Sequence, residues 1–391
     1  MTDVVGDRLV PRAGLDRLPA QHRTAVELLL LLSRVSPGPE VGAAAEQVIK
    51  EGVDWDFFLA QARRHRVIGL VARNFERLLL WELDAFLYAS AETFRAVHLY
   101  HQARNATLQR ELTEFMPRIA AEVPGVLIRK GLYLAQHIYR DLGSRPMADM
   151  DLLMTRRDAR RATEILNDLG YAMGDTTPDS RRVEPLPPNE MAFWRMHVNN
   201  LPPMFRTTSD PYVREFIVDI SVGLFLPRAG FTVPTEEVLG RAVPAHFGDV
   251  DILVPAPTDL VLDLCAHLYK ESTTLRYLHR LKHQRLIQYC DLRETLARLG
   301  GPDFWDRFAA LVRQHGVELV AYYALAHLEM LFPGTVPPAL LDDWRTGASP
   351  TFLDEYATVD LPDPLVWESD FLNRTFAAET RPNLPASSSP V

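Results

Sequence analysis

Cysteine and long apolar segments are scarce in this 391-residue chain, and positive charges are outnumbered by negative ones. Its only cysteines, Cys265 and Cys290, lie in apolar, helix-like stretches, where free thiols are usually buried. Two cysteines provide neither a four-ligand zinc site nor a disulfide framework, so we expect a cytoplasmic protein. The longest leucine run covers residues 28–32, far fewer than the roughly 20 residues of a membrane span. We therefore expect no membrane segment and no signal peptide.

The charge balance and the missing motifs exclude several functional classes. Lys and Arg number 42 against 51 Asp and Glu, a net charge of −9. An acidic chain is repelled by a polyphosphate strand, which disfavours long nucleic acid as a partner but leaves room for a local basic cleft. The sequence has no Walker-type loop, Gly-x-Ser-x-Gly elbow, His-Glu-x-x-His or Gly-x-Gly-x-x-Gly. The common kinase, hydrolase, zinc-protease and dinucleotide-binding classes are thereby disfavoured.

The spacing of apolar residues divides the chain into four parts. Helical periodicity predicts an N-terminal helical domain over residues 1–120, in which a long helix at 93–115 ends before Pro117. An α+β core follows at 121–255, and a C-terminal helical domain at 256–346. Residues 347–391 are rich in Pro and Asp, and we expect this tail to be disordered from residue 381 onward.

Within the core, strand and helix patterns alternate. Thr155 and Gly143 have the character of a helix N-cap and a helix C-cap, respectively. The Pro-, Thr-, Asp- and Arg-rich segment 174–189 predicts a mobile loop. The predicted strands are 126–128, 149–154, 191–198, 215–222 and 247–254, and the predicted helices are 131–142 and 155–169.

A pair of acids, Asp149 and Asp151, follows the first helix of this core. On a strand, residues two apart project to the same face, so the two carboxylates repel each other unless a cation lies between them. Magnesium prefers such hard oxygen ligands. A bare Asp-x-Asp is more often a solvated strand edge. Here the apolar Met150 between the acids and the apolar run 152–154 after them place the pair at the boundary of the core.

Basic residues and a glycine precede the acids at informative positions. Arg145 lies four residues before Asp149, where it can offset the negative charge or hold a phosphate. Lys130 and Gly131 lie at a strand–helix turn, where free backbone N–H groups and a lysine charge suit a phosphate oxygen.

The stretch LIRKGL at 127–132, Arg145 and the motif DMDLL at 149–153 together resemble the uncharacterised nucleotidyltransferase family of the DNA polymerase β-like superfamily. The resemblance covers roughly residues 120–300. It implies a core with a mixed sheet, flanked by the two helical domains. The chain departs from the family pattern at Arg129, where an apolar residue is usual, and it lacks the serine that the wider superfamily carries at the glycine turn.

The resemblance also implies a third carboxylate on a later strand, and Asp219 is our candidate for it. Two Mg²⁺ ions would then lie between the three carboxylates and a nucleoside triphosphate (NTP), with Asp219 as general base. Lys130, Gly131, Arg145 and His197 would contact the nucleotide. Asp219 could instead be an acid in a salt bridge or at a sheet edge, and His197 could be structural.

The function implied is transfer of a nucleoside monophosphate from an NTP to a small-molecule or protein/peptide acceptor, with release of pyrophosphate. A catalytically silent module that binds nucleotide or a partner protein is the first alternative. A tRNA-modifying toxin is the second, and it would require a continuous basic surface. The sequence does not determine the acceptor, the donor base or the oligomeric state.

Further polar residues have both a functional and a structural interpretation. Asp249 and Asp251 repeat the Asp-x-Asp pattern, but they lack the Lys-Gly turn and the upstream arginine, so we expect an ordinary strand there. The family's C-terminal helical segment is matched by His267, Lys270, Glu271, Gln284 and Asp291, although hydrogen bonds of helix packing are the more common role of such residues. Two basic clusters could face phosphates or be solvated helix faces: Arg276, Arg280, Lys282 and Arg285, and Arg156, Arg157, Arg160 and Arg161.

Overall fold

The computed structural model describes residues 9–376 and Leu384 of an α+β chain. Helices precede and follow a mixed sheet of seven strands. One cluster of buried apolar side chains extends from Val10 to Phe376 and includes residues of the N-terminal helices, the sheet and the C-terminal helices. The helices therefore share a hydrophobic core with the sheet. In the part of the chain described, no helix is both long and apolar enough to cross a bilayer.

The N-terminal part is helical up to residue 122, apart from a 3₁₀ turn at Trp81–Leu83. Asp54 and Asp84 cap two of its helices, because each side chain accepts hydrogen bonds from backbone N–H groups of the first turn. The helices are α1 (Arg12–Leu15), α2 (Ala20–Leu32), α3 (Pro39–Glu51), α4 (Trp55–Arg64), α5 (Ile68–Arg77) and α6 (Ala85–Glu122).

Helix α6 does not end before Pro117, as the sequence predicts, but continues to Glu122. Proline removes one backbone hydrogen bond, which costs about 3 kcal/mol in a helix interior. Ile119, beyond the proline, is fully buried together with Phe115 and Met116 before it. The burial of this apolar face offsets the lost bond.

Nine strands lie in the central part of the chain: β1 (Leu127–Ile128), β2 (Met150–Leu153), β3 (Ala172–Met173), β4 (Asp175–Thr176), β5 (Val183–Glu184), β6 (Met204–Thr207), β7 (Glu215–Ser221), β8 (Val243–Phe247) and β9 (Val250–Val254). Seven of them form a sheet with the order β3-β6-β7-β2-β1-β9-β8. Strand β2 runs parallel to β7 and antiparallel to β1, and β1 runs parallel to β9. A small β4–β5 hairpin lies in the segment predicted as a loop.

Four helices accompany the sheet. Helix α7 (Lys130–Tyr133) continues as a π-helical turn (Leu134–Ile138). Helices α8 (Arg156–Asp168), α9 (Pro188–His197) and α10 (Thr235–Gly240) follow. The predicted cap of α8 is confirmed, because the Thr155 hydroxyl accepts a hydrogen bond from the Asp158 N–H at 3.2 Å.

Three predictions for this region are wrong. Residues 188–197 form helix α9 instead of a strand, because Pro188 suits the first turn of a helix and the rings of Phe193 and His197 stack one turn apart. Helix α7 ends before the expected Gly143 cap, since Arg140 adopts a left-handed conformation (φ 53°). The single strand predicted at 247–254 is a hairpin of β8 and β9 that turns at Gly248 (φ 56°).

The C-terminal part is again helical. Its helices are α11 (Pro257–Thr273), α12 (Leu275–His279), α13 (Leu286–Leu299), α14 (Phe304–Gln314), α15 (Glu318–Leu331) and α16 (Pro338–Arg345). A 3₁₀ turn (Phe352–Asp354), the strands β10 (Glu355–Tyr356) and β11 (Leu365–Val366), and helix α17 (Phe371–Thr375) follow. Phe371 and Phe376 are buried, so this portion of the predicted tail packs on the core. The disorder predicted from residue 381 falls, except for Leu384, outside the described residues.

The loop between α7 and β2 packs tightly against the N-terminal helices. The Asn105 side chain on α6 donates hydrogen bonds to the carbonyls of Leu142 (2.6 Å) and Arg145 (2.8 Å). On α5, an added Cβ at Gly69 would lie 2.3 Å from the Gly143 carbonyl oxygen. The absence of a side chain at Gly69 therefore allows the two backbones to approach, and the N-terminal helices hold the loop that leads to Asp149.

We predict that Gly69→Ala lowers the free energy of unfolding by about 1–3 kcal/mol, because the new methyl group would force a backbone carbonyl to move. Urea denaturation measures this change. Gly240→Ala is the matched control: Gly240 ends a helix and an added Cβ would meet nothing within 4 Å. Equal stability of the two variants would contradict the close approach of α5 and the loop.

Candidate functional site

Three carboxylates meet on the parallel strand pair β2–β7. Asp151 on β2 is the register partner of Asp219 on β7, and Asp149 lies two residues before Asp151. One carboxylate oxygen from each of the three residues lies within 4.8 Å of the others. In the described part of the chain, they form the only group of three or more His, Cys, Asp or Glu side chains close enough to hold a metal ion.

The electrostatics of this acidic triad favour a cation. Burial, followed by the charges of Asp151 and Asp219, raises the pKa of Asp149 to about 6. Burial and the charge of Asp151 also raise the pKa of Asp219. Three hard oxygen ligands that repel one another fit a divalent cation such as Mg²⁺, which would relieve the repulsion.

Lys130, the first residue of α7, lies beside the triad. Its Nζ is 3.8 Å from Asp151 Oδ1 and donates a hydrogen bond to His267 Nδ1 at 3.2 Å. Burial, and then the positive charges of Lys130 and Lys270, hold the pKa of His267 well below its ordinary value. A neutral imidazole can accept the hydrogen bond of the ammonium group. His267 thus fixes Lys130 beside Asp151.

A cavity of about 350 Å³ opens above the triad, and it is lined by one residue of the N-terminal part, by residues of the sheet region and by residues of the C-terminal part. Five acids line this cavity: Asp149, Asp151, Asp219, Glu271 and Asp291. The cations number nine: Arg66, Arg129, Lys130, Arg145, Lys270, Arg276, Arg280, Lys282 and Arg285. Nine positive against five negative charges give an excess of +4, although the whole chain carries −9. Such a cleft attracts a polyanion.

Comparison with known families matches residues 51–333 to a family described as an uncharacterised nucleotidyltransferase. The match covers well over half of the chain. The chain belongs to this nucleotidyltransferase family. Comparisons with curated proteins and with solved structures found no significant match.

Arg129, where the nucleotidyltransferase departs from the family pattern, has a structural role. Its guanidinium donates two hydrogen bonds to the Asp263 carboxylate, one of them at 2.8 Å, and another to the Ser221 hydroxyl. Burial alone would raise the pKa of Asp263, but the Arg129 charge holds it below its ordinary value. Because both members of the pair are buried, the pair ties β1 and the end of β7 to α11.

Gly131, Arg145 and His197, the other residues expected to contact the nucleotide, differ in their distance from the triad. Gly131 lies close to the triad: an added Cβ would be 3.7 Å from Asp151 Oδ2. Arg145 lines the cavity, but its guanidinium is engaged by the Asp291 carboxylate through two hydrogen bonds of 2.8 Å. His197 does not line the main cavity and lies at a smaller adjoining one.

Two cavity residues were missed in the sequence. Asn200 donates a hydrogen bond to Asp219 Oδ1 at 2.7 Å and so orients that carboxylate. Arg66 reaches the cavity from the turn between α4 and α5 in a left-handed conformation (φ 59°). Burial, and then the neighbouring Arg285 and Arg145, lower the pKa of Arg66 to about 10. No local motif signals either residue, since both reach the cavity from distant parts of the chain.

The remaining candidates divide between the cavity and the solvent. Lys270, His267 and Glu271 line the cavity, as does the whole basic cluster of α12 and the following turn. Asp251 instead projects from the β8–β9 hairpin, 87% exposed and 2.7 Å from His246 Nδ1. Asp249 lies in the turn of that hairpin. The arginines of α8 lie on an exposed helix face.

We predict that Asp263→Leu lowers the free energy of unfolding by about 3–5 kcal/mol, because it leaves the Arg129 charge buried without a partner. The double variant Arg129→Met/Asp263→Leu removes both charges, and its free energy of unfolding should fall much less. Urea denaturation of both single variants and the double variant measures the coupling. Additive losses would show that the two side chains do not act as a buried pair.

Proposed function

We propose that this nucleotidyltransferase moves a nucleoside monophosphate from an NTP to a small-molecule or peptide acceptor and releases pyrophosphate. The observation that carries the proposal is the placement of three carboxylates in a cationic cavity of an otherwise acidic chain. The carboxylates suit a divalent cation, and the surrounding lysines and arginines suit the phosphates of the donor. A purely structural acid cluster would not account for the five cavity cations that make no ion pair with the described residues, namely Arg66, Lys270, Arg276, Arg280 and Lys282.

Asp149, Asp151 and Asp219 are the residues that would hold Mg²⁺. When bound, two Mg²⁺ ions would lower the pKa of the acceptor hydroxyl and neutralise charge on the leaving pyrophosphate. The protein itself contributes orientation. Lys130, fixed by the neutral His267, presents its ammonium group beside Asp151, where a phosphate oxygen would gain a charge-assisted hydrogen bond.

We assign to Asp219 the role of general base for the acceptor hydroxyl. Asn200 holds its Oδ1 atom, whereas Oδ2 accepts no hydrogen bond from the described residues. Burial raises the pKa of this carboxyl, and a higher pKa makes a carboxylate a better proton acceptor. The proton of the hydroxyl would therefore move to Oδ2 as the new bond to the α-phosphorus forms and the bond to pyrophosphate breaks.

We further propose that residues 121–255 form a polymerase β-like core between the helical domains 1–120 and 256–346. Support comes from the cavity, because Arg66, the triad and Lys270 belong to these three segments in turn. Catalysis would then depend on all three. A cytoplasmic location is also proposed, and the two free, buried cysteines support it.

Calorimetric titration of the four common NTPs with Mg²⁺ tests the proposal. We expect binding of at least one NTP to wild type, and binding at least about ten-fold weaker to Asp149→Asn/Asp151→Asn, since that variant loses two of the three carboxylates. Asp249→Asn/Asp251→Asn is the matched control, because it makes the same two changes in an exposed hairpin. Its affinity should equal that of wild type, and circular dichroism checks that each variant is folded.

Two outcomes would sink this proposal. If no NTP bound with Mg²⁺, the chain would be a silent family member. If the triad variant bound as tightly as the hairpin variant, the nucleotide would lie elsewhere. Asp151→Asn should also abolish pyrophosphate release in any assay in which wild type turns over.

A further inference from the structure

The charge of the cavity exceeds what the donor needs. Nine cations and five acids line the cavity, and Asp263, the buried partner of Arg129, reduces their excess from +4 to +3 before any ligand binds. Two Mg²⁺ ions add four positive charges, and a fully ionised triphosphate adds four negative charges, so the excess persists in the loaded cavity. A cluster of uncompensated cations in a partly buried site is unfavourable unless a further anion neutralises it. The acceptor is the ligand that remains to supply one.

Arg276 on α12 has the surroundings expected of an anion-binding residue. Its guanidinium carbon lies 5.1 Å from the Phe193 ring centroid and 5.0 Å from the Trp194 ring centroid, so two rings of α9 hold the group by cation–π contacts. Its Nε and Nη1 atoms are buried and have no hydrogen-bond partner among the described residues. Buried donors are normally satisfied, and the side chain that carries these two donors lines the cavity. Neighbouring guanidinium N–H groups match two oxygens of a phosphate or carboxylate.

Two further cations line the cavity close to Arg276 in sequence. Arg280 and Lys282 follow Arg276 along the chain and line the same cavity. Neither side chain makes an ion pair or hydrogen bond with the residues that the structure describes. They contrast with Arg145 and Arg285, which are paired with Asp291 and Glu271. Five cavity cations make no ion pair with the described residues: three of them, Arg276, Arg280 and Lys282, follow one another along the chain from α12, and the other two are Arg66 and Lys270.

The rest of the chain limits the size of the anion. Removing the nine cations and five acids of the cavity from the totals of 42 and 51 leaves 33 cations and 46 acids, a net charge of −13. A long nucleic acid strand leaving the cavity would meet this negative remainder. A compact anion inside the cavity of about 350 Å³ would not.

We propose that the acceptor is a small anionic compound whose phosphate or carboxylate group binds Arg276, with Arg280 and Lys282 beside it. This inference rests on the proposed nucleotidyl transfer and adds the substrate class. Arg276, held by Phe193 and Trp194, sets specificity for a charged acceptor over a neutral one.

The test uses the full chain saturated with Mg²⁺ and a non-hydrolysable analogue of the NTP that binds in the donor titration. Inorganic phosphate and acetate are titrated separately by calorimetry, so that a phosphate-bearing and a carboxylate-bearing acceptor can be told apart. We expect one of them to bind wild type, and Arg276→Gln to bind it about ten-fold more weakly, because charge-assisted hydrogen bonds are lost. The matched control is Arg157→Gln, an exposed arginine of α8, which should bind as wild type does.

The affinity for the donor analogue separates the possible failures. It should be unchanged in Arg276→Gln. If Arg276→Gln weakened binding of the donor analogue as much as binding of the anion, Arg276 would lie at the donor. That result would overturn the inference, while the proposed function would stand. Binding of neither anion to loaded wild type, or unchanged anion binding in Arg276→Gln, would also overturn it. Arg276-dependent binding of tRNA, steeply weakened by salt, would replace the small acceptor by a nucleic acid end. A failed donor titration would refute the proposed function itself.

Discussion

The mutual repulsion of three carboxylates is the constraint around which this protein is organised. The register of the parallel pair β2–β7 places Asp151 opposite Asp219, and the two-residue period of a strand adds Asp149. No fold would keep three such groups together, partly buried, without a means of compensation. Lys130 and Asn200 provide part of it, and the ring of cavity cations provides a field that a metal ion and phosphates would complete.

The helices on either side of the sheet position the loop that leads to Asp149. Asn105 and Gly69 hold the loop before Asp149 from the N-terminal side. The pair of Arg145 with Asp291 holds the same loop from the C-terminal side. The cavity lies where these parts meet, so the positions of its cations depend on helix packing as much as on the sheet. In agreement with this arrangement, one hydrophobic cluster contains residues of both helical parts and of the sheet.

Local patterns predicted much of this structure, and long-range contacts account for what they missed. The cap at Thr155 and strand β7 follow from residues adjacent in sequence, and the structure confirms them. Helix α9 replaces the strand predicted at 191–198, because its few apolar residues fit both periods and Pro188 in the first turn favours a helix. Asp149 and Asp151 were visible as a motif, and Asp219 as an acid in an apolar strand. The sequence does not predict that Arg66 and the cations of α12 line the same cavity, because neither segment contains a motif for such a site.

The central claim is that the acidic triad holds the metal ions of a nucleotidyl transfer site. Crystals grown with Mn²⁺, an anomalously scattering substitute for Mg²⁺, and a non-hydrolysable NTP analogue test it most directly. We expect anomalous density between the carboxylates of Asp149, Asp151 and Asp219, with the triphosphate extending toward Lys130. Ordered triphosphate elsewhere on the protein, with no anomalous density at the triad, would contradict it.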